Sequence, residues 1–183
     1  MSATRFALAS LLLLSALSAH ALDIKGNKIG DTLNEVQARQ PLDCGPLYGH
    51  KECQKQGDYY LRGRYSETYA GERVSILYTF HNDVLVKILV THLQSSSYDD
   101  IEKQLKVKFG APTSRETTTA KDHDGATLPN HVVRWKSGKH ELMFERYNDF
   151  TDDFEESRLE LVDTDYRAGI EPKPSAADKL KDM

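Results

Sequence analysis

Between Ser97 and Pro112 the chain reads Ser-Tyr-Asp-Asp-Ile-Glu-Lys-Gln-Leu-Lys-Val-Lys-Phe-Gly-Ala-Pro, and no other stretch restricts the fold as much. Tyr98, Ile101, Leu105 and Phe109 recur at spacings of three and four, which places them in one stripe of an α-helix. Ser97 followed by Asp100 has the form of a capping box, and Gly110 and Pro112 stop the helix. Glu102, Lys103, Lys106 and Lys108 are expected on the opposite, solvated face. A helix with one apolar stripe needs a flat apolar surface to cover, and strand-like segments lie on both sides of it. A sheet with a helix on one face follows.

The N-terminal stretch is expected to stand outside that fold. Arg5 precedes an apolar run from Phe6 to Leu17, which ends at Ala19-His20-Ala21, the small-residue pattern of a secretory cleavage site. The run is too short to span a bilayer, and residue 22 is Leu rather than the Cys that a lipid anchor requires. The expectation is a signal peptide over 1–21, a periplasmic product and no integral membrane segment after cleavage. Cleavage removes Arg5 alone of the formal charges and leaves 23 basic against 28 acidic residues, a net charge of −5. No basic face offsets that surplus, so nucleic acid is not an expected partner.

Cys44 and Cys53 are the only cysteines and enclose a Gly- and Pro-containing loop. In an exported chain they are expected to close a local disulfide, since neither a Cys-x-x-Cys redox spacing nor further zinc ligands accompany them. Thr32-Leu33-Asn34-Glu35 forms a second capping box, with Leu33 and Val36 as its apolar stripe and Pro41 as its stop. The segment 29–41 thus repeats the plan of 97–112 in shorter form.

A β-rich region follows each helix. Arg73 to Phe80 alternates, His81-Asn82-Asp83 turns, and Val84 to Leu93 returns with apolar residues on both faces. In the second half Thr113 to Ala120 is strand-compatible and Lys121 to Asn130 reads as loop. His131 to Lys136 and Lys139 to Tyr147 flank a Ser137-Gly138 turn, and Ser157 to Asp163 supplies a last strand. The expected fold class is α+β, in two tandem helix-plus-antiparallel-meander units, 22–94 and 95–166, with helices on one face of a sheet. The charged, proline-containing tail 167–183 is expected to be disordered.

Two such units, one with a Thr-x-x-Glu helix start and the other with a Phe-Gly-Ala-Pro helix exit, resemble the β-lactamase inhibitor protein fold and the related small lipoprotein of the outer-membrane barrel-assembly machine. The resemblance covers the layout of about Ile29 to Asp163. It implies a non-catalytic exported protein that binds another protein through its open sheet face and loops. No family contact motif aligns, so no functional residue carries over, and the absent lipidated cysteine departs from the lipoprotein.

Motifs for catalysis are missing. There is no Gly-x-Ser-x-Gly, Ser-x-x-Lys set, phosphate-cradling loop or dinucleotide fingerprint. Glu67 and Glu72 are acids of a kind that any acidic surface carries. No His-x-x-x-His occurs, and with Ser137-Gly138 as a two-residue turn His131 and His140 lie four strand positions apart, about 13 Å, too far to share a metal. Neither cofactor nor metal is expected, and the chain is not expected to be an enzyme.

Two stretches have the composition of binding surfaces. Asn148 to Glu156 sets Phe150 and Phe154 among Asp149, Asp152, Asp153, Glu155 and Glu156, without the spacing or central glycine of an EF-hand. It reads either as a solvated connection whose phenylalanines fold back onto the core, or as aromatic anchors ringed by charge that steers a basic partner. Tyr59, Tyr60 and Arg62, near Tyr48, Arg64, Tyr65 and Tyr69, are residue types that dominate binding hot spots, though tyrosines at strand spacing also cover half-buried sheet. The expected role is an inhibitor or immunity-type protein acting on a basic envelope or periplasmic enzyme or toxin. An envelope assembly accessory and an enzyme of an unrecognised family are the alternatives.

Overall fold

The structure is a computed structural model that describes residues 21–43, 58–63, 67–121, 125–148 and 154–170. Cys44, Cys53, Asp149, Phe150, Asp152 and Asp153 lie outside the described residues.

Helix α1 (Leu33–Arg39) leads into β1 (Leu42–Asp43), β2 (Asp58–Gly63), β3 (Glu67–Tyr69), β4 (Glu72–His81) and β5 (Val84–Gln94). A 3-10 turn (Ser95–Ser97) then opens α2 (Tyr98–Phe109), followed by β6 (Ser114–Lys121), β7 (Thr127–Ser137), β8 (His140–Glu145), β9 (Glu156–Asp163) and α3 (Thr164–Ile170). The strands form one antiparallel sheet in the order β1-β2-β4-β5-β9-β8-β7-β6, with β3 paired to β4. The last strand therefore sits in the middle, between β5 and β8.

Alternation of side chains builds the core in rows. Tyr78, Ile88, Leu161, Leu142 and Trp135 are successive cross-strand partners from β4 to β7, and Ile76, Val90, Leu159, Phe144 and Val133 form a second row on the same face. Every one of these side chains is buried. Helix α2 covers this face with Tyr98, Ile101 and Leu105; the Tyr98 ring stacks on Phe144 at 4.5 Å and Trp135 Nε1 donates to the Gly110 carbonyl at 2.9 Å. Val36 of α1 joins the same core, as do Leu22 and Ile24, which follow the predicted cleavage site directly. The capping box of α1 forms as expected: Glu35 N–H donates to Thr32 Oγ1 at 3.4 Å and Thr32 N–H to Glu35 Oε2 at 2.7 Å.

Several expectations need correction. Ser97 does not cap α2, because the 3-10 turn before it holds Ser97 in helical backbone and its hydroxyl donates instead to Glu72 Oε1 at 2.5 Å. Glu102 is not solvated; its side chain is buried and bonded to Lys106 and to Arg115 on β6. Thr127 to Asn130 is strand rather than loop, and Pro129 fits there because β8 ends opposite Val132, so no second neighbour asks for its missing N–H. The β7–β8 turn is Gly138-Lys139, with Gly138 at φ 60°, so Trp135 pairs with Leu142 and Ser137 with His140. His131 and His140 are thereby separated by about six positions, near 20 Å along the strand. The start of the predicted disordered tail, from Arg167 to Ile170, is the end of α3.

Helix α3 belongs to the opposite side of the sheet. Arg167 reaches Glu141 Oε1 and Glu160 Oε1, each at 2.7 Å, and both carboxylates alternate with the core rows and so point away from α2. Glu160 also pairs with Lys87 at 3.4 Å and with Arg158, and Glu141 with Lys136 at 3.1 Å.

Candidate functional site

The described ends of the acidic segment predicted to bind a partner, Asn148 and 154–156, are hydrogen-bonded into one corner of the sheet. At its start, Asn130 Nδ2 donates to Glu145 Oε1 at 2.9 Å and to the Tyr147 carbonyl at 3.1 Å, while Tyr147 N–H returns a bond to Asn130 Oδ1 at 3.0 Å. Asn148 N–H donates to the Glu156 carbonyl at 2.9 Å, which closes the segment on itself, and Ser157 Oγ donates to the Arg146 carbonyl at 2.8 Å. On the far side, Ser95 N–H bonds the Glu155 carbonyl at 2.7 Å and Ser95 Oγ the Phe154 carbonyl at 2.8 Å. The side chains of Asn130, Asn148 and Ser157 are buried, so these bonds compete little with water.

Strand β5 is bulged at this corner. Val90 pairs with Leu159 and Leu93 with Ser157, so Thr91 and His92 together oppose Arg158. His92 takes φ 64°, a left-handed conformation that costs a residue with a Cβ about 1 kcal/mol. The bulge turns its ring to Glu156, with Nδ1 2.8 Å from Oε1. Next to it, Arg146 lies 5.2 Å from the centre of the Tyr98 ring and bonds Asp99 Oδ2 at 3.2 Å, which fixes the first turn of α2 to the same corner.

Phe154 is half-buried, its ring edge-on to Tyr147 at 5.3 Å, and Glu155 is exposed. Of the predicted aromatic anchors, Phe154 is therefore the one whose ring is placed, and it rests partly on the protein itself. Tyr59, Tyr60 and Arg62 occupy β2, at register positions opposite Phe80, Thr79 and Leu77. Strands β4 and β5 separate β2 from β9, and Tyr59 is near the turn after His81, the end of the sheet opposite Phe154. The two predicted binding stretches do not form one surface.

The sequence reading missed His92 and Ser95, and no local pattern marks them: the bulge exists only because β9 pairs with β5. It also missed a groove of about 280 Å³ between α2 and the β3–β4 turn, lined by Lys25, Tyr69, Ala70, Gln104, Leu105 and Lys108. Carboxylates already hold both lysines there, Glu67 on Lys25 and Asp23 on Lys108, the latter at 2.6 Å. Burial, with help from the Asp23 charge, pushes the Tyr69 hydroxyl up to about 12, so it stays a neutral donor.

Among the described residues no three His, Cys, Asp or Glu side chains stand close enough to hold a metal ion, and no helix is long and apolar enough to cross a membrane. The chain matches no family model, no curated protein and no solved structure.

Proposed function

We propose that this chain is an exported, non-catalytic protein-binding module of the inhibitor or immunity type, which takes a basic envelope or periplasmic enzyme or toxin onto the segment 148–156. One observation carries this: the ends of the acidic, phenylalanine-bearing segment are held by hydrogen bonds to backbone carbonyls, from Asn148 N–H to Glu156, from Ser95 N–H to Glu155 and from the Ser95 hydroxyl to Phe154. A loop whose ends are fixed loses less conformational freedom on binding, and its charge accelerates encounter with a basic surface. The reading of export rests on the sequence, where Arg5, the apolar run from Phe6 to Leu17 and Ala19-His20-Ala21 have the form of a secretory signal.

The topology also supports two related units. One half contributes α1 and the strands β2-β4-β5, the other α2 and the meander β6-β7-β8-β9, and the halves meet last strand to last strand at β5–β9.

The test is capture of partners from periplasmic and membrane extracts at low and high salt, using the protein tagged at its C-terminus. A basic enzyme retained at low salt and released at high salt, and lost when Phe150 and Phe154 are both changed to Ala, is the expected result. Equal capture by the double variant would sink the assignment to this segment. Co-purification with outer-membrane components in place of a basic enzyme would favour an envelope assembly accessory.

A further inference from the structure

We infer that β6 is an interface between two copies of this chain, joined antiparallel about a two-fold axis through Thr117; this goes beyond the partner-binding segment and does not depend on it. Strand β6 ends the sheet, pairs with β7 from Ser114↔Arg134 to Lys121↔Thr127 without a register shift, and has no described strand beyond it. Residues from Ser114 to Thr119 are all exposed. Proteins protect such edges with proline, bulges, very short strands or charged side chains; β6 has no proline and no register shift, and its Arg115 and Glu116 are already engaged by Glu102 and Arg134, whereas the other end of the sheet is the two-residue β1.

The backbone groups that β6 offers can be assigned. Arg146 N–H donates to the His131 carbonyl at 3.0 Å, so His131 and the alternate residues Val133 and Trp135 turn their backbone groups to β8. Asn130, Val132 and Arg134 turn theirs to β6, where their partners are Thr118, Glu116 and Ser114. Arg115, Thr117 and Thr119 therefore present N–H and C=O groups outward, with only water to satisfy them among the described residues.

Side chains select the occupant and its register. A two-fold axis normal to the sheet pairs residues of equal parity, and two centres align the longest stretch. Centring on Thr118 sets Arg115 opposite the partner subunit's Lys121, a repulsion repeated by symmetry. Centring on Thr117 sets Thr117 opposite itself, Glu116 opposite Thr118 and Arg115 opposite Thr119, with no like charges facing and with β-branched pairs suited to a sheet. In that register the outward groups of Arg115, Thr117 and Thr119 meet their equivalents.

Sedimentation of the natively processed protein from about 1 to about 100 μM tests this, the range in which a modest interface dimerises. The expected result is a concentration-dependent dimer. Thr117→Pro, which removes an outward N–H and leaves the β7 ladder intact, should weaken it at least tenfold with an unchanged circular dichroism spectrum. Thr118→Glu should weaken it by facing Glu116 of the partner subunit, and Thr118→Lys should hold or tighten it. If Thr117→Pro does not fold, the opposite response of the two Thr118 variants carries the test. A monomer throughout the range, a dimer indifferent to a folded Thr117→Pro, or Thr118→Glu and Thr118→Lys acting alike would each overturn the proposal.

Discussion

Arg115, on the edge strand β6, places its guanidinium against both carboxylate oxygens of Glu102, one turn into α2. The Glu102 side chain is 6% exposed and that of Arg115 47%, so the two partners face different consequences when the pair is broken. Removing Glu102 leaves two cations, Arg115 and Lys106, that can turn to water. Removing Arg115 leaves a buried carboxylate with only Lys106 beside it. Arg115→Ala is expected to cost about 2 kcal/mol and Glu102→Ala about 1 kcal/mol, in that order. Chemical unfolding of both variants and of their combination measures it; the reverse order would mean that Glu102 is hydrated.

On the other face, Arg167 is the cation shared by Glu141 and Glu160, whose side chains are 5% and 4% exposed. Arg167→Ala is expected to lower stability by about 2 kcal/mol, a drop of roughly 4–8 °C in melting temperature for a chain of this size. Arg167→Lys should recover only part of the loss, because one ammonium cannot present the fork that spans two carboxylates. An unchanged melting temperature for Arg167→Ala would show that α3 does not hold to the sheet.

Acid should unfold the protein through these same groups. Burial alone would raise the carboxyls of Glu102, Glu141 and Glu160, but hydrogen bonds and charge from Lys106 and Arg115, from Arg167 and Lys136, and from Arg158, Lys87 and Arg167 outweigh it and hold all three below the ordinary value of 4.5. A carboxyl depressed by folding contributes stability that is complete above its unfolded value and is lost as pH falls through its folded one. The melting temperature is therefore expected to be level from pH 7 to about 5.5 and to fall progressively below about 4.5. A fall that begins above pH 6 would show that these carboxyls do not govern acid unfolding.

What was legible in the sequence was what neighbouring residues decide. The apolar stripe Tyr98, Ile101 and Leu105, the Thr32–Glu35 box and the alternation of β4 all depend on spacings of a few residues, and each appears in the structure. Glu102 was misplaced because its partner Arg115 comes from the strand after the helix, and His92 was overlooked because its bulge is imposed by β9, more than sixty residues on. The hairpin register differs from the expected one because glycine takes the first central position of the turn, which therefore starts at Gly138 and not at Ser137. For the proposed binding segment, composition marked the stretch, but the bonds at its ends depend on Ser95 and Asn130, which nothing in residues 148–156 foretells.

The position of β9 makes the whole sheet depend on a strand that comes late in the chain. Until Glu156 to Asp163 has emerged, β5 and β8 each lack a neighbour, the two halves share no ladder, and the core rows are broken at Leu159 and Leu161. Closure of the sheet thus waits on β9, and a chain cut short before Glu156 would display two unpaired strand edges, on β5 and on β8, a form suited to aggregation and to disposal by proteases.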